Sequence, residues 1–538
     1  MTINKLSSLS PEAAGLPDNA TLTKLAAEYF NQLPGDHPNA EKVLHIATDS
    51  FNKTSIESLS NQVKTFTEPA SLPHFDQGTL DKGLQAFLAQ SLNTSSANKV
   101  GEQTLAPAYY FINETPYQPA LPAQVPLTNA HQGFDVHAIR RDFPILKERV
   151  NGRQLVWFDN AATTQKPQVV MDRITQFYQR ENSNIHRAAH ELAARATDAY
   201  EEARETIASF LNASSSEEIV FVRGSTEAIN LVAQSFGRQN IGKDDEIIVS
   251  HLEHHANIVP WKRLCDETGA KLRVIPVDDS GQVILSEYQK LLSDKTKLVS
   301  FTQVANALGT ITPAQEIIAM AKRVGAVTLL DAAQSVSHLA VDVQQLDCDF
   351  LVFSGHKIFG PTGIGVLYGK KSLLDETQPW QGGGNMIEDV TFEEIRYQPA
   401  PAKFEAGTGN IADAVGLSAA IKYVQAIGLS RIAQYEHELL GYATQAIQRV
   451  KGIKLIGTAK DKTSVMSFTL DGHDNNAVGK ALNEVGVAVR TGHHCAQPIL
   501  RRFGVESTVR PSFAFYNTFD EIDLLVDTVN KLSINRRF

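Results

Sequence analysis

Asp347-Cys348-Asp349-Phe350-Leu351-Val352-Phe353-Ser354-Gly355-His356-Lys357 is an apolar run that ends in small and polar residues and one lysine. Gly360-Pro361-Thr362-Gly363-Ile364-Gly365 follows it. The run reads as a buried strand, and the glycine-rich turn behind it holds the Lys357 amine at the strand's exit from its sheet. Such an amine can form a Schiff base when its surroundings favour the neutral form. Upstream, Val327-Thr328-Leu329-Leu330-Asp331 reads as a second buried strand that ends on an acid, with Gln334 just after it. An acid and a lysine on neighbouring strand ends suit pyridoxal 5'-phosphate (PLP): the acid keeps the ring nitrogen protonated and the lysine holds the aldehyde carbon. By itself, a lysine after a strand is most often a solvated surface residue, so the rest of the chain has to decide.

Outward from this stretch the chain alternates strands and helices. Strand-like runs recur at Glu246 to Ser250, Leu272 to Val277, Leu298 to Phe301, Val327 to Leu330, Phe350 to Phe353 and Ile364 to Tyr368. Helical stretches such as Ala314 to Val324 lie between several of them. The pattern predicts an α/β fold with a mostly parallel sheet, whose ligands sit at the carboxyl ends of the strands. From about residue 400, helices over Ile411 to Ile427 and Ile432 to Val450 lead into short strands at Ser464 to Leu470 and Val485 to Val489. They predict a smaller C-terminal α/β domain. The expected division is an extension over 1–130, a large domain over 131–400 and a small domain over 401–538, with 131–155 contributing to the small one.

The 538 residues are too many for one small core. Hydrophobic residues at 42% and charged residues at 20% describe a soluble globular chain. A net charge of -10 and a pI near 5.9 argue against generic binding to nucleic acid or anionic membranes. The cysteines Cys265, Cys348 and Cys495 are far apart, which disfavours a disulfide framework or a cysteine zinc site and fits a reducing compartment. No signal-peptide core or bilayer-length apolar run is seen, so the cytoplasm is the expected location.

The first 130 residues are rich in Ala, Ser, Asn, Thr, Gln and Pro and read as largely disordered. One helix is expected where Leu22, Leu25, Ala26, Tyr29, Phe30 and Leu33 recur, capped by Asp18-Asn19 and stopped by Pro34-Gly35. A second amphipathic stretch carries Leu80, Leu84, Phe87, Leu88 and Leu92. The aromatic patch around Tyr109 and the prolines at 116, 119, 122 and 126 follow. Short apolar anchors in a polar tether suit docking on another protein as well as a plain tail.

At Arg223-Gly224-Ser225-Thr226-Glu227 a strand meets a helix start, where hydroxyls and free N–H groups can take a phosphate or merely cap the helix. His251-Leu252-Glu253-His254-His255 and the pair His186 and His190 raise the question of a metal, but no completing ligand set is present. An imidazole stacked on a flat cofactor accounts better for His254. Asn306 follows another strand, within reach of a ring oxygen.

From about residue 134 to its end, the chain resembles the Suf-type (group II) cysteine desulfurases of the class V aminotransferase family. The matching stretches are Asp159-Asn160-Ala161-Ala162, Ile185-His186-Arg187, Val222 to Glu227, Glu253 to Trp261, Ser354-Gly355-His356-Lys357, Phe404-Glu405-Ala406-Gly407-Thr408 and Arg490-Thr491-Gly492-His493-His494-Cys495. The resemblance implies the PLP-dependent transferase fold type I, PLP as cofactor, L-cysteine as substrate and no metal. It implies that Lys357 carries PLP, Asp331 pairs with the ring nitrogen, Gln334 and Asn306 meet the ring oxygen, and His254 stacks on the ring. It implies that Ser225, Thr226, Ser354 and His356 grip the phosphate, with Thr408 supplied by the partner of a homodimer. It implies that Arg510 clamps the substrate carboxylate, with Asn160 and Arg490 near that clamp. Pro511 stands where the family usually has alanine. Cys495 would be the sulfur-accepting nucleophile, on a short loop that calls for a dedicated sulfur-acceptor protein. A selenocysteine lyase shares this site, and a plain aminotransferase would leave Cys495 without a task. The long extension is similar in layout to those of desulfurases packaged in encapsulin-type shells. On that reading residues 1–130 are a loading tether, or even the chain's main purpose.

Overall fold

The computed structural model describes residues 134–185 and 189–534. The features expected of the extension, and the His186-Arg187 part of one motif, lie outside them. The large sheet has seven strands: β1 (Ile219–Val222), β2 (Glu246–Ser250), β3 (Lys271–Ile275), β4 (Thr296–Thr302), β5 (Val327–Asp331), β6 (Phe350–Ser354) and β7 (Gly365–Gly369). Their spatial order is β1-β7-β6-β5-β4-β2-β3. The pairs among β3, β2, β4, β5 and β6 are parallel, whereas β7 runs antiparallel to both β6 and β1. The sheet is therefore mostly parallel, as the pattern predicts, with one reversed strand that the pattern does not show. Its interior strands are apolar almost throughout because both faces are covered. Leu329 and Val352 enter one core cluster, while Leu330, Leu351 and Phe353 enter the other. This is the period-two alternation of a strand buried on both sides.

The reversed strand sits very close to its neighbour. A Cβ on Gly365 would lie 2.4 Å from the Gly224 Cα, so two glycines let β7 and the end of β1 approach each other. Helices α1 (Gln168–Arg180), α2 (Glu191–Leu211) and α3 (Ser225–Val232) precede a long helix α4 (Ile411–Ile427). Helix α4 is buried on most of its circumference and packs on α1 and α2. Gly416 makes this possible, since a Cβ there would meet Ile174 and Pro361 at 2.8 Å.

A four-stranded antiparallel sheet follows, made of β8 (Ile453–Ile456), β9 (Ser467–Leu470), β10 (Arg490–Gly492) and β11 (Thr508–Arg510) in the order β8-β9-β11-β10. The early segment reaches this part of the chain: Val156–Trp157 pairs in parallel with Val487–Ala488, and Ser512 N donates to Phe158 O at 2.7 Å. Phe143 is fully buried among the rings of Phe359, Tyr423, Phe515 and Tyr516, and so joins these distant segments.

Candidate active site

The chemistry-bearing residues of the large sheet all follow strand ends. β1 delivers Ser225 and Thr226, β2 delivers His254, β4 delivers Asn306, β5 ends on Asp331, and β6 ends on Ser354 and leads to Lys357. Strands pointing the same way place these ends along one edge, as expected of an α/β sheet. From the C-terminal strands come Arg490, Cys495 and Arg510. All of them line one cavity of about 200 Å³, together with His356, Gln334 and His494.

On the cavity wall Ser225 starts α3. The Ser354 hydroxyl accepts from Ser225 N at 2.9 Å and lies 2.9 Å from the Ser225 hydroxyl. Hydroxyls, a helix N-terminus and His356 make an anion cradle. The buried Asp331 carboxyl also lines the cavity, and its Oδ1 accepts from Ala333 N at 3.0 Å. Burial raises its pKa, against the pull of Ala333 and Lys357.

Burial also lowers the Lys357 amine to about 8; Asp331 and Cys495 oppose this shift, while Arg510 and Arg490 add to it. His254 is held at about 3, by burial first and then by Lys357, His255 and Arg510. Its Nδ1 accepts from Ala256 N at 3.0 Å, so the neutral ring carries its proton on Nε2. His356 is lowered to about 4 by burial, with Lys357 and Lys166 contributing.

Arg510 is 2% exposed and pairs with Asp159 at 3.3 Å, while its Nη1 donates to Asn306 O at 2.9 Å. Burial lowers its pKa to about 10, against the attraction of Asp159. Arg490 reaches the same carboxylate at 3.8 Å. Two guanidinium groups thus share one anion, which leaves net positive charge for a carboxylate ligand. The next turn is unusual. His494 and Cys495 have φ values of +52° and +54°, a region that costs non-glycine residues on the order of 1 kcal/mol each. The turn is held from both sides: Cys495 N donates to His493 Nδ1 at 3.0 Å, and Cys495 O accepts from His255 N at 2.8 Å. His494 O accepts from Asn306 Nδ2 at 2.7 Å. The thiol is thereby kept on the cavity, partly exposed.

Two residues named from the sequence lie elsewhere. Asn160 is buried, and its amide is committed to Ser512 O at 2.7 Å, to Asn517 and to the Tyr516 hydroxyl. It braces the loop whose neighbours Ala161 and Ala162 line the cavity. Thr408 lines a second cavity with Tyr200, Arg223 and Trp380. Gln334 lines the first cavity, but its Nε2 already donates to Ala161 O at 2.6 Å. His190, weighed as a metal ligand, caps α2 by accepting from Ala193 N at 3.2 Å. Sequence reasoning passed over Asp159 and His494, although both lie inside motifs it quoted.

These groups fit PLP. Donors suited to a phosphate, an acid and a lysine line one cavity. Asn306 Oδ1 and Arg510 Nε are buried polar atoms with no partner among the described residues. The comparisons agree. The family described as Aminotransferase class-V matches residues 156–525. The chain is 64% identical to a cysteine desulfurase of Synechococcus elongatus over 474 residues, covering 86% of this chain and 76% of that one. It is 48% identical to a cysteine desulfurase of Pectobacterium atrosepticum, covering 74% of this chain and 98% of that one. The crystal structure of the cysteine desulfurase CsdA of Escherichia coli aligns with a TM-score of 0.69 and 38% identity, covering 74% of this chain and 98% of that one.

Proposed function

We propose that this chain, which belongs to the class-V aminotransferase family and is a PLP-dependent cysteine desulfurase, divides its reaction between Lys357 and Cys495. The observation that carries the reading is that both side chains line one small cavity and that Cys495 acts on the charge of the Lys357 amine. Bound PLP supplies an electron sink that loosens the substrate's bonds at its α-carbon and sulfur. Ser225, Thr226, Ser354 and His356 hold its phosphate, Asp331 faces its ring nitrogen, and His254 covers the ring. Asn306 and Gln334 border the ring oxygen. Arg510 and Arg490 hold the carboxylate of L-cysteine, and the loop braced by Asn160 closes that side. The Lys357 Nζ takes the α-proton, which its lowered proton affinity permits near neutral pH. The Cys495 Sγ attacks the substrate sulfur: the substrate's C–S bond breaks, an S–S bond forms on Cys495, and alanine leaves.

The short loop from Arg490 to Cys495 supports a Suf-type enzyme that hands its persulfide to an acceptor protein. Thr408, on the second cavity, is assigned to the partner's phosphate site in a homodimer. Large and small domains meet near residue 400. Among the described residues no helix is long and apolar enough to cross a membrane, and we assign the enzyme to the cytoplasm. Residues 1–130 are assigned to docking in an encapsulin-type shell. The polar composition with spaced apolar anchors supports this, as does a relative matched nearly end to end with part of this chain to spare.

Cys495→Ala should keep the yellow cofactor and lose sulfur release from L-cysteine, whereas Lys357→Ala should lose the visible band. Sulfide release by Cys495→Ala at the normal rate would end this division of roles. Deleting residues 1–130 should leave alanine formation unchanged and abolish co-purification with a shell protein. Equal co-purification would remove the docking role.

A further inference from the structure

Thr163, Thr164 and Lys166 continue the motif Asp159-Asn160-Ala161-Ala162, yet the proposed reaction gives them no part. Residues 163–167 form neither helix nor strand before α1, so their polar groups must find partners elsewhere. Several of them converge on one atom. The His356 carbonyl oxygen accepts from Thr164 N at 3.0 Å, from the Thr163 and Thr164 hydroxyls at 3.1 Å each, and from Lys166 Nζ at 3.2 Å. A carbonyl has two lone pairs, so four donors crowd it. This carbonyl belongs to the peptide bond that joins His356 to Lys357. A lysine amine donates whether charged or neutral, so the Lys166 contact does not depend on its charge.

Thr164 also reaches past the lysine. Its hydroxyl accepts from Phe359 N at 2.8 Å. One hydroxyl supplies one proton and two lone pairs, so both bonds form together: the proton goes to His356 O and a lone pair meets Phe359 N. The side chain is buried, which keeps water from competing. The segment it spans, His356 to Phe359, is short and strained. β6 ends at Ser354, a single 3-10 turn covers Gly355–Lys357, and Phe359 stands at φ +61°. That is the left-handed region, which a bulky side chain avoids. From inside the turn, Gly355 O accepts from Ile358 N at 3.1 Å and from Gly360 N at 3.0 Å. From outside, the hold comes from Thr164. Its own segment is anchored: Ala161 N donates to the Ser512 hydroxyl at 2.9 Å, and Gln165 N to the Tyr516 hydroxyl at 3.0 Å. Ser512 and Tyr516 follow Arg510 in the chain, so one short segment fixes the lysine turn relative to the strand that carries Arg510.

We infer that Thr164 is a positioning residue for Lys357, with Thr163 and Lys166 assisting. Its hydroxyl grips the backbone on both sides of the lysine and so sets where the amine stands when it meets the cofactor's aldehyde carbon and the substrate's α-proton. This role rests on the assignment of Lys357 proposed above.

The test compares wild type, Thr164→Val, Thr164→Ser and Lys357→Ala. Valine keeps the shape of threonine without the hydroxyl, and serine keeps the hydroxyl without the methyl. Three quantities are read: the rate at which cofactor-free protein captures PLP, kcat and KM for L-cysteine in the loaded enzyme, and the melting temperature. Thr164→Val should slow capture and lower kcat about 10- to 100-fold, the cost of misplacing a reacting group by about 1 Å. KM should stay within about twofold, because Arg510 is untouched. Thr164→Ser should bring capture and kcat back to within about threefold of wild type. If Lys357→Ala loses the visible band while Thr164→Val captures PLP and turns over at the wild-type rate, the inference is overturned and the assignment of Lys357 stands. A lower melting temperature in Thr164→Val without slower capture counts against it equally. A Thr164→Ser as slow as Thr164→Val also overturns it, because the methyl and not the hydroxyl is then what matters. A Lys357→Ala that keeps the band removes both. Should Thr164→Val fail to fold, Thr163→Val combined with Lys166→Met decides, since it takes two of the four donors from His356 O: slower capture supports the inference and capture at the wild-type rate overturns it.

Discussion

The rate at which the cofactor-free protein captures PLP should level off above pH 8. Capture requires the neutral Lys357 amine. Burial brings this amine down to about 8, with Arg510 and Arg490 adding their repulsion and Asp331 and Cys495 resisting. At pH 7 about a tenth of such an amine is neutral, against roughly 0.03% of an ordinary lysine near 10.5, an advantage of about 300-fold. Below pH 8 the rate should climb about tenfold per unit, and above it the curve should flatten. His254, held at about 3, stays neutral throughout and adds no bend of its own. The perturbations have opposite signs. Asp331→Asn removes an anion that stabilises the ammonium and should move the bend to lower pH. Arg510→Met removes a cation and should move it to higher pH. The assay is rapid mixing of cofactor-free protein with PLP, followed by the growth of the visible band at constant ionic strength. The same reaction with N-acetyl-lysine, run in parallel, cancels the titration of PLP itself. A rate that rises tenfold per unit through pH 10, alongside the control, would refute the electrostatic account of this site.

Other outcomes follow from the same geometry. Arg510→Lys should raise the KM for L-cysteine about 10- to 100-fold in a steady-state alanine assay, because a point charge cannot replace a fork that holds Asp159, Asn306 O and a carboxylate together. Glu405→Ala should cost about 3–5 kcal/mol in urea unfolding. It leaves the buried Arg204 guanidinium, now 2.7 Å from Glu405 Oε1, with the more exposed Glu201 as its remaining counter-charge, and also removes the acceptor of Phe221 N and the Tyr200 hydroxyl. Phe143→Ala should cost about 3–5 kcal/mol in the same measurement by opening a hole among four aromatic rings.

Much of the site was legible because its signals are local. An apolar run that stops on an acid or a lysine marks a strand end whatever it pairs with, so Asp331 and Lys357 stood out before any pairing was known. The strands at 246–250 and 327–331 and the helix at 411–427 were legible for the same reason. The reversed direction of β7 was not, since an apolar run carries no sign of which way its neighbour travels. The Pro511 departure left the strand Thr508–Arg510 intact, because proline follows its last residue.

The sequence by itself determined the fold class, singled out Lys357 and Cys495 as candidates, and marked the strand ends on which most of the cavity's lining hangs. Periodicity and motif order are properties of the chain alone. Only the tertiary structure decided that Asp159 shares its charge between Arg490 and Arg510, that Asn160 belongs to the Tyr516 network, and that Glu253 is buried against donors from Ser250, Asn257 and Thr302. The left-handed turn at His494 and Cys495 belongs with these. The charge of an acid and the strain of a turn depend on what packs against them, and here those neighbours come from strands and loops remote in the chain.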